Sequence, residues 1–389
     1  MSWIKVKSAL KSVITFLVVL LITLELFSFI LSKANLLLVN DTPWAYRSKD
    51  DIFLPSLQWR TEESDWGAWH KPNSATRDRQ SCFDTPYFSN EVGARDDSFI
   101  NLKNEKRIVL IGDSFAEGLG VEREQTAQFL IEKNSGSDVL NFGSAGDLGP
   151  VQYSIISEKL VNQYKPSSLI IFFLPSNDFT DNDYEYWQKT KKTFKKNGKE
   201  RWRPYYKREA NGYSSFIPVN ATKTIEARTP SFANQYLWTH NVYKTIKLIL
   251  AQKREQRAQN LFSTSGNPAV SNFSGGYSGY FDASLDQQKA AVFYINKLIS
   301  ESNAKNIFLV IIPTMSDFGR IASGKDPSFM YWYKEFERAG NKSGKFVKFI
   351  DLAKHVPSDP TKLFFTCDGH WSPYGNKWAA EIVSSHLKY

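Results

Sequence analysis

The chain has 389 residues, of which 42% are hydrophobic and 15% aromatic, and its formal net charge is +9. This length and apolar content exclude a disordered chain and allow a sizeable buried core. Residues 189–208 hold ten Lys or Arg and one Glu, a balance of +9, so the remaining chain is neutral overall. This basic segment predicts an anionic partner, such as lipid headgroups, an acidic polymer or a protein, and a solvated loop is the alternative.

An apolar run occupies residues 13–31, with Glu25 as its only charge. A helix of this length can cross a bilayer core, which needs ~20 residues. Three lysines precede the run, so the positive-inside rule places the amino terminus in the cytoplasm and everything after residue 31 outside. We therefore interpret residues 1–34 as a cytoplasmic tail and an uncleaved membrane anchor. The alternative is a cleaved secretory signal, but the residues after the run match a cleavage site poorly.

Two cysteines, Cys82 and Cys367, are the only ones in the chain. An exported chain can form a disulfide between them, and two buried free thiols are an equally open alternative. Because we expect the domain to lie outside the cytoplasm, we expect no nucleic-acid partner for the basic segment at residues 189–208. A bridge would connect the N-terminal part of the chain to the residue that directly precedes Asp368.

Residues 35–105 are rich in Trp, Pro and charge, and we interpret them as an extension that packs on a main domain at residues 106–389. The main domain alternates apolar strands with helical patterns, which predicts an α/β fold with a parallel sheet covered on both faces. Residues 180–285 interrupt the alternation, so we interpret them as a large insertion. The predicted strands are residues 107–111, 138–142, 168–174, 306–312 and 346–350. The predicted helices are residues 125–133, 151–163, 242–259 and 287–301, with a last helix that begins at Ser372-Pro373.

Three residues of the chain suit acyl transfer to a serine hydroxyl. Ser114 follows the first strand and Asp368 and His370 lie before the last helix, so serine, base and orienting carboxylate are all present. Gly146 and Asn177 also follow strands, and the backbone N–H groups of Ser114 and Gly146 with the Asn177 amide would stabilise an oxyanion. Gly143 is the alternative to Gly146. No cluster has metal-ligand spacing, and no cofactor is implied.

The four blocks around Ser114, Gly146, Asn177 and Asp368 with His370 resemble those of the SGNH/GDSL hydrolase superfamily. The resemblance covers about 90–180 and 285–385 and implies a flavodoxin-like three-layer sandwich with a catalytic Ser, Gly, Asn and His. Residues 90–95 resemble membrane-anchored bacterial members, which implies a single-pass protein of the bacterial inner membrane with a periplasmic domain.

Two departures from the superfamily pattern stand out. The usual Asp-x-x-His is replaced by Asp368-Gly369-His370-Trp371, which is similar to alginate-type polysaccharide O-acetyltransferases. The glycine that commonly precedes the third block is replaced by Pro175-Ser176. We therefore expect an esterase or O-acyltransferase that acts on a small acyl group, acetyl above all, of an envelope or extracellular carbohydrate or another ester. A transferase would need a membrane protein as acyl donor, and the alternative function is a non-catalytic SGNH scaffold that binds within an envelope assembly.

Overall fold

The computed structural model describes most of the chain, with gaps. The described residues are 3–34, 36, 59–80, 82–100, 102, 106–190, 200–223, 231–261, 276–339 and 344–387. Trp44, the centre of the basic segment and most of a Ser/Gly/Asn-rich stretch of the insertion lie outside the described residues.

A five-stranded parallel sheet forms the centre of the main domain, and its order is β13-β12-β7-β5-β6. The strands are β5 (Arg107–Gly112), β6 (Asp138–Gly143), β7 (Ser168–Phe173), β12 (Asn306–Ile311) and β13 (Phe346–Asp351). Renumbered within the sheet and counted from β6, the order is 2-1-3-4-5, which is the flavodoxin-like order. The expected fold class is therefore confirmed.

Helices cover the sheet, as the predicted alternation requires. The helices of the main domain are α2 (Ser114–Glu117), α3 (Ala127–Ser135), α4 (Pro150–Ile156), α5 (Pro175–Asp178), α10 (Leu285–Glu301), α11 (Met315–Ala322), α12 (Tyr331–Glu337) and α13 (Pro373–His386). Helix α3 packs against α13, while α10 packs against α4 and α12. With right-handed crossovers, these two groups lie on opposite faces of the sheet.

Smaller elements surround this sandwich. The extension folds into two antiparallel pairs of strands, β1 (Arg60–Ser64) with β2 (Gly67–His70) and β3 (Ala75–Arg79) with β4 (Asp84–Phe88). The insertion holds α6 (Tyr184–Thr190), β8 (Glu200–Arg201), β9 (Tyr205–Glu209), β10 (Gly212–Phe216), β11 (Ala221–Thr222), α7 (Phe232–Tyr236), α8 (Trp238–Leu261) and α9 (Gly279–Asp282). Helix α1 (Trp3–Lys33) precedes all of them and is long and apolar enough to cross a membrane, a test that a secretory signal would also pass.

The core is continuous from the sheet into the extension. Every residue of β7 is buried, which explains why its sequence is continuously apolar from Leu169 onwards instead of alternating. Trp59, Trp66 and Trp69 of the extension are buried as well, and the last two belong to the same apolar core as the sheet. These three tryptophans therefore serve packing, and the extension has no independent core among its described residues.

The predicted helix at 151–163 is the clearest local difference. The α-helix α4 covers Pro150–Ile156, a π-helical turn follows at Ser157–Val161, and a 3-10 turn at Asn162–Tyr164 ends the segment. The apolar spacing continues through all three, so the change in winding leaves no mark on the pattern that predicted one helix.

Candidate active site

Ser114 is presented at the carboxyl edge of the sheet by a short, sharply defined connection. Strand β5 ends at Gly112, and the Asp113 carboxylate accepts the N–H of Phe115, which caps α2 and places Ser114 at its first turn. Strands β5 and β7 are neighbours where the strand order reverses, and Asn177 follows β7. Ligands of such sheets bind in the crevice at that position.

The structure brings together the three residues expected to carry nucleophilic chemistry. The Ser114 Oγ lies 2.8 Å from His370 Nε2, and His370 Nδ1 lies 3.1 Å from Asp368 Oδ2. An ionised carboxylate only accepts hydrogen bonds, so Nδ1 carries the proton and Nε2 accepts from the serine hydroxyl. This arrangement leaves Nε2 able to take the serine proton.

The short Asp-x-His spacing is accommodated by a tight turn. The second oxygen of Asp368 accepts the backbone N–H of His370, and Gly369 between them has φ +79°, a conformation that favours glycine. Trp371 is buried and packs edge-on against Phe115, with ring centroids 5.0 Å apart. The tryptophan therefore anchors the loop in the core while one Asp368 side chain orients both the backbone and the ring of His370.

The pKa of His370 is raised above the ordinary histidine value by a balance of opposing causes. Burial is the largest and lowers this pKa, but the hydrogen bond and charge of Asp368, with the charges of Asp113 and Glu117, outweigh it. The site therefore favours the imidazolium that forms when the serine proton is transferred.

Asn177 is held by Asp113, the residue that precedes Ser114. Its side-chain amide donates to Asp113 Oδ2 at 2.9 Å, which leaves the second N–H of that amide for a ligand. Pro175 occupies the first turn of α5, where a missing N–H costs nothing, so its replacement of the usual glycine is compatible with the turn. Burial raises the pKa of Asp113.

The two candidate glycines after β6 differ in what their backbones do. The N–H of Gly143 donates to Asn141 Oδ1, and a Cβ at Gly143 would meet the backbone of α2 at 2.3 Å. Gly146 has φ +143°, and its N–H donates to no other described residue. Arg203 of the insertion donates to the carbonyl oxygen of Asp147, so the insertion supports the loop that carries Gly146.

The extension holds the turn that follows Ser114. The guanidinium of Arg95 is buried and donates to the carbonyl oxygens of Glu117, Gly118 and Val121. The hydroxyl oxygen of Tyr87 accepts the N–H of Gly120 in the same turn, at 2.8 Å. Three carbonyl oxygens and one N–H of the turn that follows Ser114 therefore have their hydrogen-bond partners in the extension.

A buried histidine and glutamate beneath the site were not among the predicted residues. The side chains of His70 and Glu117 are both 0% exposed, with His70 Nε2 3.5 Å from Glu117 Oε2. The Glu117 carboxylate also accepts the N–H of Ala145, directly before Gly146. No sequence pattern reveals this pair, because the two residues lie on separate parts of the chain and join only in the fold.

A disulfide between Cys82 and Cys367 joins the extension to the loop that carries Asp368 and His370, with the two Cα atoms 5.8 Å apart. Of the two alternatives that the sequence left open, the structure therefore has the bridge. Among the residues that the structure describes, no group of three or more His, Cys, Asp or Glu side chains could hold a metal ion.

Removal of this bridge is expected to loosen the catalytic loop. In the double variant Cys82→Ser with Cys367→Ser, we expect kcat to fall by up to ~10²-fold with little change in KM, because a small misplacement of a reacting group is costly. We also expect the free energy of unfolding to fall by about 2–4 kcal/mol. Ester hydrolysis and urea unfolding measure the two effects, and a double variant with the kcat of the unmodified protein would contradict the first.

The fold and this geometry define an α/β protein with a Ser–His–Asp arrangement at the switch point of a flavodoxin-like sheet. No family model matches the chain, and no curated protein matches it either. Solved structures with a similar fold include a putative lipolytic protein of the G-D-S-L family from Desulfitobacterium hafniense DCB-2, 15% identical, with a TM-score of 0.32 over 72% of this chain and 98% of that one.

Two further structures have comparable similarity. A lipase/acylhydrolase from Enterococcus faecalis is 14% identical, with a TM-score of 0.34 over 72% of this chain and 95% of that one. A carbohydrate esterase family 2 enzyme from Corynascus thermopiles (Myceliophthora fergusii) is 11% identical, with a TM-score of 0.37 over 80% of this chain and 74% of that one. At these identities and TM-scores, the likeness assigns no activity to this chain.

Proposed function

We propose that this chain is a serine-dependent esterase or O-acyltransferase. The observation that carries the proposal is the continuous contact from the Ser114 hydroxyl through the His370 imidazole to the Asp368 carboxylate, at 2.8 and 3.1 Å. A serine hydroxyl becomes a competent nucleophile when a base removes its proton, and this geometry supplies the base and its orienting group.

The proposed reaction has two halves. Ser114 Oγ attacks the ester carbonyl as His370 Nε2 takes its proton, and the oxyanion accepts hydrogen bonds from the N–H groups of Ser114 and Gly146 and from the Asn177 amide. His370 then donates the proton to the departing alkoxide, which leaves an acyl group on Ser114. Water or a sugar hydroxyl, deprotonated by His370, attacks that acyl-serine and regenerates the free serine.

The preferred substrate is a small acyl ester, acetyl above all, on a carbohydrate. The support is the Asp-x-His-Trp sequence, which resembles that of polysaccharide O-acetyltransferases. The disulfide supports an oxidising compartment, and α1 supports attachment to the bacterial inner membrane with the catalytic domain on the periplasmic side. Transfer would require an acyl donor supplied by a membrane protein.

The test uses the full chain in detergent with a chromogenic acetyl ester, with and without oligosaccharide acceptors. Release of acetate that depends on Ser114 supports the esterase, and acetylated oligosaccharide in the mass spectrum supports transfer. A folded protein that releases no acetate and reacts with no serine-directed phosphonate would contradict both and favour the non-catalytic binding module.

Asn177→Ala is expected to lower kcat by ~10²–10³-fold, because one donor to the developing oxyanion is lost. KM should change little, since the interaction strengthens only as the charge forms. Steady-state hydrolysis of the acetyl ester measures both, with Asn303→Ala, an exposed asparagine, as the control. A kcat for Asn177→Ala equal to that of the control would remove Asn177 from the proposed oxyanion site.

A further inference from the structure

Glu25, the single charged residue of the apolar run, accepts hydrogen bonds from another helix of the same chain. One oxygen of Glu25 accepts the backbone N–H of Trp238 at 2.6 Å, and the other accepts the N–H of Thr239 at 3.1 Å together with the Thr239 hydroxyl. These are the first N–H groups of α8, which have no partner within that helix. A carboxylate is stabilised at such a helix end, so Glu25 and α8 satisfy each other.

The contact extends along one stripe of α1. Phe29 packs edge-on against the indole of Trp238, with ring centroids 5.5 Å apart, and the ammonium of Lys33 lies 5.8 Å from the same ring. Glu25, Phe29 and Lys33 are spaced by four residues, so they share one face of α1. Ser28, next to this stripe, is buried, whereas most of α1 is exposed. Helix α1 therefore has one protein-facing side, and α8 lies against it.

Helix α8 has two faces of different character. One face packs on the protein and includes the buried side chains of Trp238, Val242 and Thr245. On another face, Tyr243, Ile246 and Leu250 are 61%, 43% and 52% exposed and recur at the spacing of a helical stripe. Exposed Lys244 and Lys247 border this stripe. An apolar stripe bordered by lysines is the composition of a helix that lies in a membrane interface.

We propose that α1 and α8 form one membrane-binding unit, in which α1 is retained in the mature protein and α8 lies on a bilayer that contains anionic lipid. Tyr243, Ile246 and Leu250 contact the acyl boundary, and Lys244 and Lys247 contact lipid phosphates. The bilayer is the occupant because the exposed stripe belongs to a helix fastened to α1, the one described helix with the length and hydropathy to span a membrane. This inference does not depend on the proposed catalytic function.

The first test is the mass of the purified protein. If α1 is retained, the purified chain still contains residues 13–31. We expect retention because Glu25 of α1 accepts the first N–H groups of α8, which makes α1 part of the folded protein. A mature chain that begins after residue 31 would overturn the proposal.

The second test places a spin label on α8 of the full chain in nanodiscs. Ile246→Cys and Leu250→Cys are prepared as two separate variants. The label reacts with the introduced cysteine alone, because both native cysteines are in the disulfide. With phosphatidylcholine and phosphatidylglycerol, we expect both labels to collide with oxygen more than with a nickel chelate. The control, Lys377→Cys at an exposed position of α13, should show the reverse. Labels at 246 and 250 that match the control, or that are shielded from both reagents by a partner protein or second copy, would overturn the proposal.

The link through Glu25 has its own matched pair of variants. In Glu25→Ala we expect greater mobility of the label at 246 and at least a two-fold loss of its oxygen preference. Ile22→Ala, at an exposed position of α1, should leave both unchanged. Circular dichroism melting checks that both variants are folded, independently of any activity. Equal label behaviour in Glu25→Ala and Ile22→Ala would contradict the coupling of α1 to α8.

Discussion

Ser114→Ala is expected to abolish ester hydrolysis, with kcat for a chromogenic acetyl ester falling ~10⁶-fold. The variant keeps His370, Asp368 and the oxyanion donors, but no other group lies at the position from which Ser114 Oγ contacts the imidazole at 2.8 Å. The remaining rate would come from binding and oxyanion stabilisation alone. Steady-state kinetics with the full chain in detergent measures the effect.

The control for this variant is Ser300→Ala, which removes an exposed hydroxyl near the end of α10 and should leave kcat unchanged. Both variants should unfold at the same urea concentration as the parent protein. If Ser114→Ala retained more than a few per cent of the parent kcat, another nucleophile would be responsible and the proposed acyl-serine would be wrong.

Asp368→Asn is expected to change both the height and the pH dependence of the activity. The base must be neutral to accept the serine proton, so kcat/KM rises with pH through the pKa of His370. That pKa is raised in the folded protein: burial lowers it, but Asp368 and the more distant charges of Asp113 and Glu117 outweigh burial. Removal of the Asp368 charge therefore moves the acidic limb of the profile to lower pH.

The plateau of the Asp368→Asn profile should also fall, by ~10⁴-fold, because an amide no longer fixes the proton on Nδ1. The measurement is kcat/KM for the acetyl ester from acidic to alkaline pH. Asp359→Asn, at an exposed carboxylate before the catalytic loop, is the control and should keep the parent profile. An unchanged acidic limb in Asp368→Asn would show that this carboxylate does not set the pKa of the base.

The strands of the central sheet were predictable because each is a short and mostly apolar run, with Asn141 in β6 and Lys348 in β13 as polar interruptions. Strand β7 is buried on both sides, and its continuous apolar run from Leu169 onwards predicted a strand. The start of the last helix was also predictable, since Ser372 caps it and Pro373 follows at its first position. These signals depend only on residues that are close in sequence, so they can be recognised without knowledge of the fold.

Two short helices were missed, one of them despite a start signal that is visible in the sequence. Helix α11 begins after Thr314, whose side chain pairs with Asp317 in a capping box, and α12 follows at Tyr331–Glu337. Both are shorter than three turns and carry mixed apolar spacing, so periodicity alone does not distinguish them from loops. Their place in the sheet-covering layer is decided by packing, which a single sequence does not contain.

The candidate site divides in the same way. Ser114, Asp368 and His370 were proposed from residue type, spacing and resemblance, and the structure brings their side chains into contact. The supports of the site were not predictable. The pairing of Glu117 with His70 and the hydrogen bonds from Arg95 join the extension to a turn more than twenty residues away. Such contacts depend on how the extension folds back over the main domain.

The most direct measurement is the intact mass of the full chain after reaction with a fluorophosphonate, followed by peptide mapping of the adduct. If His370 activates Ser114, the protein should gain the mass of one phosphonyl group, and peptide mapping should place that group on Ser114. The variants Ser114→Ala and His370→Ala should remain unmodified. A folded protein that gains no mass, or whose adduct lies on a different serine, would contradict the claim that Ser114 and His370 form a nucleophilic pair.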